Sequence, residues 1–393
     1  MLTPRSTLAR RVIAALDASP SRVPVIVGGC GSGRSTLLRQ LRDRLGRATT
    51  QFVDVERTAT TPERFARAVA QASQFAAGDR PSAGPRAAFD AALAFVTGAR
   101  AGGGERATFL FDEFLELRTF ESFPGLRRVL HDFVDGLGAS GNRFVLTSRY
   151  TARTLRLLRD RSARFEVIHI PALTVEDTLD MLDLAEGQSS STDAAEAEST
   201  ARTVHALADG RPAYVRAIAG ELAAMRERGG PGASDAMSAL TAVLVPDGPL
   251  SLQCRFSYEL RLHRARGYGA LKAILDILAE DEGLTLTEIS QRLQRTPGST
   301  KDYLSWLEDV DLVTVRGKRY TYADPVLRMW VRLNCRTTAP SEDDLAREVH
   351  RYALPRLPQD AEPVAALALA TAGGAAADGD REDRKDWGII EID

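Results

Sequence analysis

The sequence predicts a three-layer α/β domain built on a parallel sheet, followed by a helical region and a winged helix. Three observations carry this reading: five short apolar runs alternate with segments of helical period up to Pro171, strands then stop, and a helix, helix-turn-helix and hairpin follow one another between about 268 and 322. The apolar runs are 23–28, 51–55, 107–112, 142–147 and 165–170, and most show little alternation, as strands covered on both faces should. Between the second and third, helical stretches at 61–77 and 86–98 and a flexible 99–104 let the chain cross the sheet and return. Beyond Pro171, helices are expected at 174–186, 199–208 and 211–228, with a polar linker at 187–198; together they read as a lid. A Gly/Pro-containing bend at 229–250 leads to helices at 251–264 and 268–280. Next come a helix within 284–293, a turn at Thr296-Pro297-Gly298, a helix at 299–309, and strands at 312–315 and 319–322 around Arg316-Gly317-Lys318. The expected domains are a core at 1–172, a lid at 173–250, a winged helix at 251–345 and an extension at 346–393, with disorder from Gly373 onward.

Composition narrows the function classes. The 393 residues are 44% hydrophobic and 26% charged, an ordinary globular balance with room for two or three domains. A net charge of −2 lacks the basic excess of a protein that coats nucleic acid, so any such contact must be local. The apolar stretch Val12–Leu16 is cut short by Asp17 and is no signal peptide, and no run of about 18 apolar residues suggests a membrane span. Cys30, Cys254 and Cys335 lack zinc or disulfide spacing, which fits a reducing cytoplasm.

The chemistry concentrates where the first strand ends. Gly28, Gly29, Cys30, Gly31, Ser32, Gly33, Arg34 and Ser35 form a glycine-rich turn, and Thr36 leads into a helix of suitable apolar spacing. In such a turn successive N–H groups can point at phosphate oxygens, and the following helix adds its positive end. Ser35 stands where a hydroxyl binds Mg²⁺. Arg34 stands where a lysine is usual; it keeps the charge but is longer and planar. Binding should survive this change better than catalysis, because misplacing a transition-state charge costs about 3 kcal/mol, roughly a hundredfold in rate.

The third run ends in Asp112 and Glu113, where Asp112 would hold Mg²⁺ through water and Glu113 would polarise an attacking water. An acidic pair at a strand end can also serve simply as a helix cap. The fourth run ends in Thr147, Ser148 and Arg149; Thr147 or Ser148 would bond a γ-phosphate or lytic water, and Arg149 would report on its charge. Arg161 and Arg164 are candidate fingers toward a neighbouring subunit, although they lie in an arginine-rich segment of the kind that forms a solvated face.

This succession resembles the AAA+/STAND division of P-loop ATPases, and more narrowly the archaeal-type ATPase family that also occurs in bacteria. The narrower resemblance rests on Asp112-Glu113-Phe114, on Gly210-Arg211-Pro212, and on the run from Tyr322 through Asp324 and Pro325 to Trp330. It implies a sheet ordered 5-1-4-3-2, a site for ATP with Mg²⁺, and Pro212 lying against adenine. Read without the resemblance, Gly-x-Pro is a helix start after a turn.

In the winged helix, Arg292, Arg295, Lys301, Arg316, Lys318 and Arg319 face a balance of Glu288, Asp302, Glu308, Asp309 and Asp311, a poor driver of phosphate binding. Packing or docking of a protein partner, or self-association, competes there with DNA binding. The expected function is an ATP-binding conformational switch, a slow Mg²⁺-dependent ATPase coupling nucleotide state to the winged helix. Two alternatives stay open: an ATP-regulated DNA-binding regulator or loader, and a nucleotide-binding scaffold without turnover. ATP is preferred to GTP because no Asn/Thr-Lys-x-Asp motif occurs.

Overall fold

Strands form at the five expected runs: β1 (Val23–Val27), β2 (Thr50–Asp54), β3 (Thr108–Asp112), β4 (Arg143–Ser148) and β5 (Phe165–His169). The computed structural model describes residues 6–75, 84–161, 163–186, 194–229, 235–263, 267–335 and 338–357. The tail expected to be disordered, and residues 187–193 of the expected linker, lie outside the described residues.

The five strands pair in parallel in the order β2-β3-β4-β1-β5, which is the expected 5-1-4-3-2 read from the other edge. Register brings the functional ends level: Ile26 of β1 lies opposite Thr147, and Asp54 opposite Asp112. Alternate residues of each strand bury on opposite faces. Ile26, Leu110, Val145 and Ile168 cluster with Leu8, Val12 and Leu16 of α1 (Ser6–Asp17) and with Leu37, Leu38 and Leu41 of α2 (Arg34–Leu45). Val25, Val27, Phe109, Phe111, Phe144 and Leu146 bury on the other side. That cluster includes residues of α3 (Val55–Thr58), α4 (Pro62–Gln71), α5 (Pro85–Gly98) and α6 (Val129–Ala139). Both faces of β1 and β3 are therefore dry, which is why these strands read as near-continuous apolar runs, while the edge strand β5 is only half-buried. A 3₁₀ segment, Phe114–Ser122, leaves β3, and α7 (Thr151–Leu158) follows β4.

Beyond the sheet lie α8 (Val175–Glu186), α9 (Ala194–Leu207), α10 (Pro212–Arg228) and α11 (Ala236–Val243). The last falls inside the expected bend at 229–250. Asp235 caps it by accepting from the N–H groups of Met237 and Ser238, and Ala236, Ala239, Leu240 and Val243 bury one face. Eight residues flanked by glycine and proline are too few to show a clear period in sequence.

The winged helix comprises α12 (Pro249–Leu262), α13 (Tyr268–Glu280), β6 (Leu284–Thr285), α14 (Leu286–Leu293), α15 (Pro297–Asp309), β7 (Val313–Arg316), β8 (Arg319–Tyr322) and α16 (Pro325–Asn334). Its sheet is antiparallel, in the order β6-β8-β7. A further helix, α17 (Glu342–Ala353), runs through the expected start of the extension at 346, and its Tyr352 hydroxyl donates to Leu207 O at 2.9 Å.

Phe109 sits at the centre of the aromatic core, with ring centroids of Phe75, Phe95, Phe111 and Phe144 between 5.4 and 6.2 Å away. Phe109→Ala should destabilise the chain by about 4 kcal/mol through lost burial and the cavity left behind. Urea unfolding checks this, and a loss below about 1 kcal/mol would show that the surrounding rings collapse into the space.

Candidate functional site

The turn after β1 is built for close approach. A Cβ on Gly28 would lie 2.2 Å from Ile170 Cγ2, so no other residue fits there without moving the Ile170 side chain. Gly33 has φ +89°, the left-handed region that glycine enters without steric cost, and it redirects the chain into α2. No side chain caps α2, so its first-turn N–H groups are left for another acceptor. Ser35 and Thr36, in that first turn, are half-buried.

The lid lies directly over this turn. Ala213 N donates to Gly31 O at 3.2 Å, and a Cβ on Gly31 would meet Gln253 Nε2 at 2.8 Å and Ala213 Cβ at 3.0 Å. Pro212 Cγ lies 3.8 Å from where a Cβ of Gly33 would stand, and Arg211 Nη1 lies 3.0 Å from the corresponding point on Gly29. Pro212 thus abuts the glycine turn itself.

Arg34 is buried, and its guanidinium folds back over the loop. Nη1 contacts Gly28 O and Gly29 O and donates to Ser32 Oγ at 3.0 Å, while Nη2 donates to Glu113 Oε1 at 2.6 Å. Its Nε has no hydrogen-bond partner. The other oxygen of Glu113 is also taken: Oε2 accepts from Arg149 N at 3.0 Å and lies 3.1 Å from Arg149 Nε. Arg149 in turn donates to Glu56 Oε2 at 2.5 Å. Burial by itself pushes the Glu113 carboxyl up, but Arg34 and Arg149 outweigh it and hold the group below its ordinary value. Glu113 itself adopts φ 56°, a conformation uncommon for a residue with a side chain, which turns its carboxylate from the strand end toward both arginines.

Beside it, Thr147 Oγ1 donates to Asp112 Oδ1 at 2.5 Å and accepts from Glu113 N at 3.0 Å. Thr147 therefore orients both acids. Among the described residues no three His, Cys, Asp or Glu groups gather to hold a metal by themselves, so a Mg²⁺ ion here would depend on Ser35, Asp112 and oxygens brought by a ligand. Arg34, Arg149, Arg211 and Arg261 surround the loop, together with the carboxylates of Glu56, Glu113 and Asp324. Burial raises the Cys30 thiol, yet the charges of Arg261, Arg149 and Arg34 more than compensate and leave it below its ordinary value. A bound phosphate chain would meet the same field, and the residues present fit an anionic ligand.

The structure thus gathers Gly28 to Thr36, Asp112, Glu113, Thr147, Arg149 and Pro212 at one sheet edge. It separates Arg161 and Arg164 from them. Arg164 precedes β5 at the opposite edge and donates to Ser21 O, Gly138 O and Ser140 O, and Arg161 pairs with Asp135.

A family described as winged helix-turn-helix DNA-binding matches residues 270–314, from α13 into β7. Among solved structures, the Walker-type ATPase PABY2304 of Pyrococcus abyssi aligns with a TM-score of 0.60 and 17% identity, over 84% of this chain and 95% of that one. The chain has the fold of a Walker-type ATPase. Similarity extends to the ORC2 protein of Aeropyrum pernix in its ADP form (TM-score 0.46, 14% identity, 91% and 97% covered). It also reaches the ORC1 protein of that organism in complex with DNA (0.45, 16%, 93% and 95%). No curated protein matches the sequence.

Within this Walker-type fold, sequence reasoning passed over Glu56 and Arg261, and it read Arg211 and Asp324 as parts of short motifs without a site role. Arg211 Nη1 pairs with Asp324 Oδ2 at 3.1 Å, and Tyr214 donates to the same carboxylate at 2.6 Å. The two short motifs, Gly210-Arg211-Pro212 and Asp324-Pro325, are therefore partners in space. Arg261 Nη1 donates to Asp311 O at 2.8 Å, and the Asp311 carboxylate accepts from Thr151 N and Ala152 N at the start of α7. Asp324 also caps α16, accepting from Val326 N and Leu327 N.

Glu113→Gln should leave Arg34 without a counterion and Arg149 with Glu56 alone, and lower stability by about 3 kcal/mol at neutral pH. Because the folded carboxyl lies below its unfolded value of about 4.3, its contribution is full above that pH and disappears as pH falls through the folded value. The difference between wild type and variant in chemical denaturation should therefore shrink in acid. A difference independent of pH between about 2 and 7 would show that the charge on Glu113 is not what stabilises the site.

Proposed function

We propose that this chain is an ATP-binding conformational switch, with slow Mg²⁺-dependent hydrolysis, whose output is the winged helix. The observation that carries the reading is the uncapped start of α2 behind a glycine turn, set among Arg34, Arg149 and Arg261 at the sheet edge where Asp112 and Glu113 end β3. In this reading the loop N–H groups and Arg34 bind the phosphates, Ser35 and Asp112 hold Mg²⁺, and Pro212 lies beside the nucleotide. Mg²⁺ would neutralise phosphate charge during transfer. Thr147 orients Asp112. Glu113 is held below its ordinary value by Arg34 and Arg149, so taking a proton from water requires that their pairing with it weaken. That requirement, with arginine in place of lysine, favours slow turnover.

Gly33→Val should abolish ATP binding, since a β-branched residue at φ +89° distorts the loop. Calorimetric titration with MgATP, paired with single-turnover hydrolysis, tests it; equal affinity in a folded variant would remove the loop from the site.

DNA binding is a second reading, and the orientation of the winged helix favours it. Arg292, Arg295, Lys301, Arg316, Lys318 and Arg319 are all exposed. Two of the opposing acids are turned toward the α/β core: Asp309 pairs with Arg156, and Asp311 caps α7. Glu288 is engaged in a capping box with Thr285. Turning Asp309 and Asp311 inward makes the outward face more basic than the local composition, while Glu288 and Asp302 stay exposed there and Arg292 pairs with Asp281. On duplex DNA, Arg316→Ala and Lys318→Ala should each lower the slope of log affinity against log salt by about 1. No duplex binding near physiological salt would exclude this reading.

A further inference from the structure

Arg211 stands where the glycine turn, the lid and the winged helix meet. Its Nη1 is 3.0 Å from the point where a Cβ of Gly29 would sit and 3.1 Å from Asp324 Oδ2, and its Nη2 donates to Ala323 O at 3.0 Å. The backbone holds it there. Pro212 starts α10 beside it, and Ala213 N is bonded to Gly31 O. Asp324 is 2% exposed, and three hydrogen bonds besides the arginine reach it, from Tyr214 Oη, Val326 N and Leu327 N. Asp324 therefore needs Arg211 for charge compensation more than for hydrogen bonding.

We propose that Arg211 is a phosphate-binding residue that the winged helix, through Asp324, withholds from the glycine turn. The proposal rests on the nucleotide-binding reading above and names the residue through which the nucleotide reaches the winged helix. A triphosphate in the turn places several negative charges beside a guanidinium already paired with Asp324 at 3.1 Å and, more loosely, with the half-exposed Asp209 at 3.7 Å, and phosphate competes with Asp324 for its Nη1. When Arg211 turns to phosphate, Asp324 keeps its cap and its tyrosine but loses its cation, and Ala323 O loses its donor. The seam between lid and winged helix then loosens. Linkage makes the effect reciprocal: a partner that draws the winged helix away releases Arg211 and tightens nucleotide binding.

The test is MgATP affinity of the full chain for wild type, Asp324→Asn, Arg211→Gln and the double variant. Asparagine preserves the helix cap and an acceptor for Tyr214 while removing the charge. Asp324→Asn should tighten binding about fivefold or more, Arg211→Gln should weaken it by a similar factor, and the double variant should match Arg211→Gln. Additive effects, or unchanged or weaker binding by Asp324→Asn, overturn the proposal. A measurement on the wild type needs no variant to fold: MgATP should speed hydrogen exchange across residues 322–330, and unchanged exchange in a chain that binds ATP also overturns it. Gly33→Val separates the two claims. If wild type and Gly33→Val bind ATP equally, or neither binds, the nucleotide reading falls and this proposal with it. If only the wild type binds, the nucleotide reading stands and the Asp324 comparison alone decides the role of Arg211.

Discussion

A single buried carboxylate, Glu113, between two buried guanidinium groups organises the site. Arg34 comes from the helix after the glycine turn and Arg149 from the end of β4, so the carboxylate ties three parts of one sheet edge together. Removing any member of such a cluster leaves an uncompensated charge in a dry place, which is far more costly than the loss of a surface ion pair. The positive φ of Glu113 and the Thr147 bond to its N–H hold the carboxylate in this position.

The substitution of arginine for lysine at position 34 takes its meaning from this cluster. A guanidinium presents several donors in a fixed plane, so it can contact Gly28 O and Gly29 O with one nitrogen and Glu113 with the other. A lysine ammonium is a compact point charge and could not span that arrangement. The price of the span is availability, since the group expected to meet phosphate is already engaged.

The lid and winged helix are tied to this edge by two aspartates doing parallel work. Asp311 accepts from the start of α7, two residues beyond Arg149, and Asp324 holds Arg211 above the glycine turn. Each also serves its own module, Asp311 by accepting Arg261 on its carbonyl and Asp324 by capping α16. A displacement at the loop therefore has two short polar routes to the helix-turn-helix.

By itself the sequence determined the layers, the strand positions, the glycine turn, the acids at the end of β3 and the winged-helix succession. These depend on local pattern: unbroken apolar runs mark strands covered on both faces, and a turn with glycines before a helix has few other uses. Tertiary structure alone decided the pairing of charges. That Glu113 is a counterion to Arg34 and Arg149, that Glu56 completes the chain, and that Arg211 meets Asp324 across 113 positions depend on which ends the folded backbone brings level. Charged side chains carry no periodic signature of their partners, because Coulomb attraction acts through space while pattern records only neighbours along the chain.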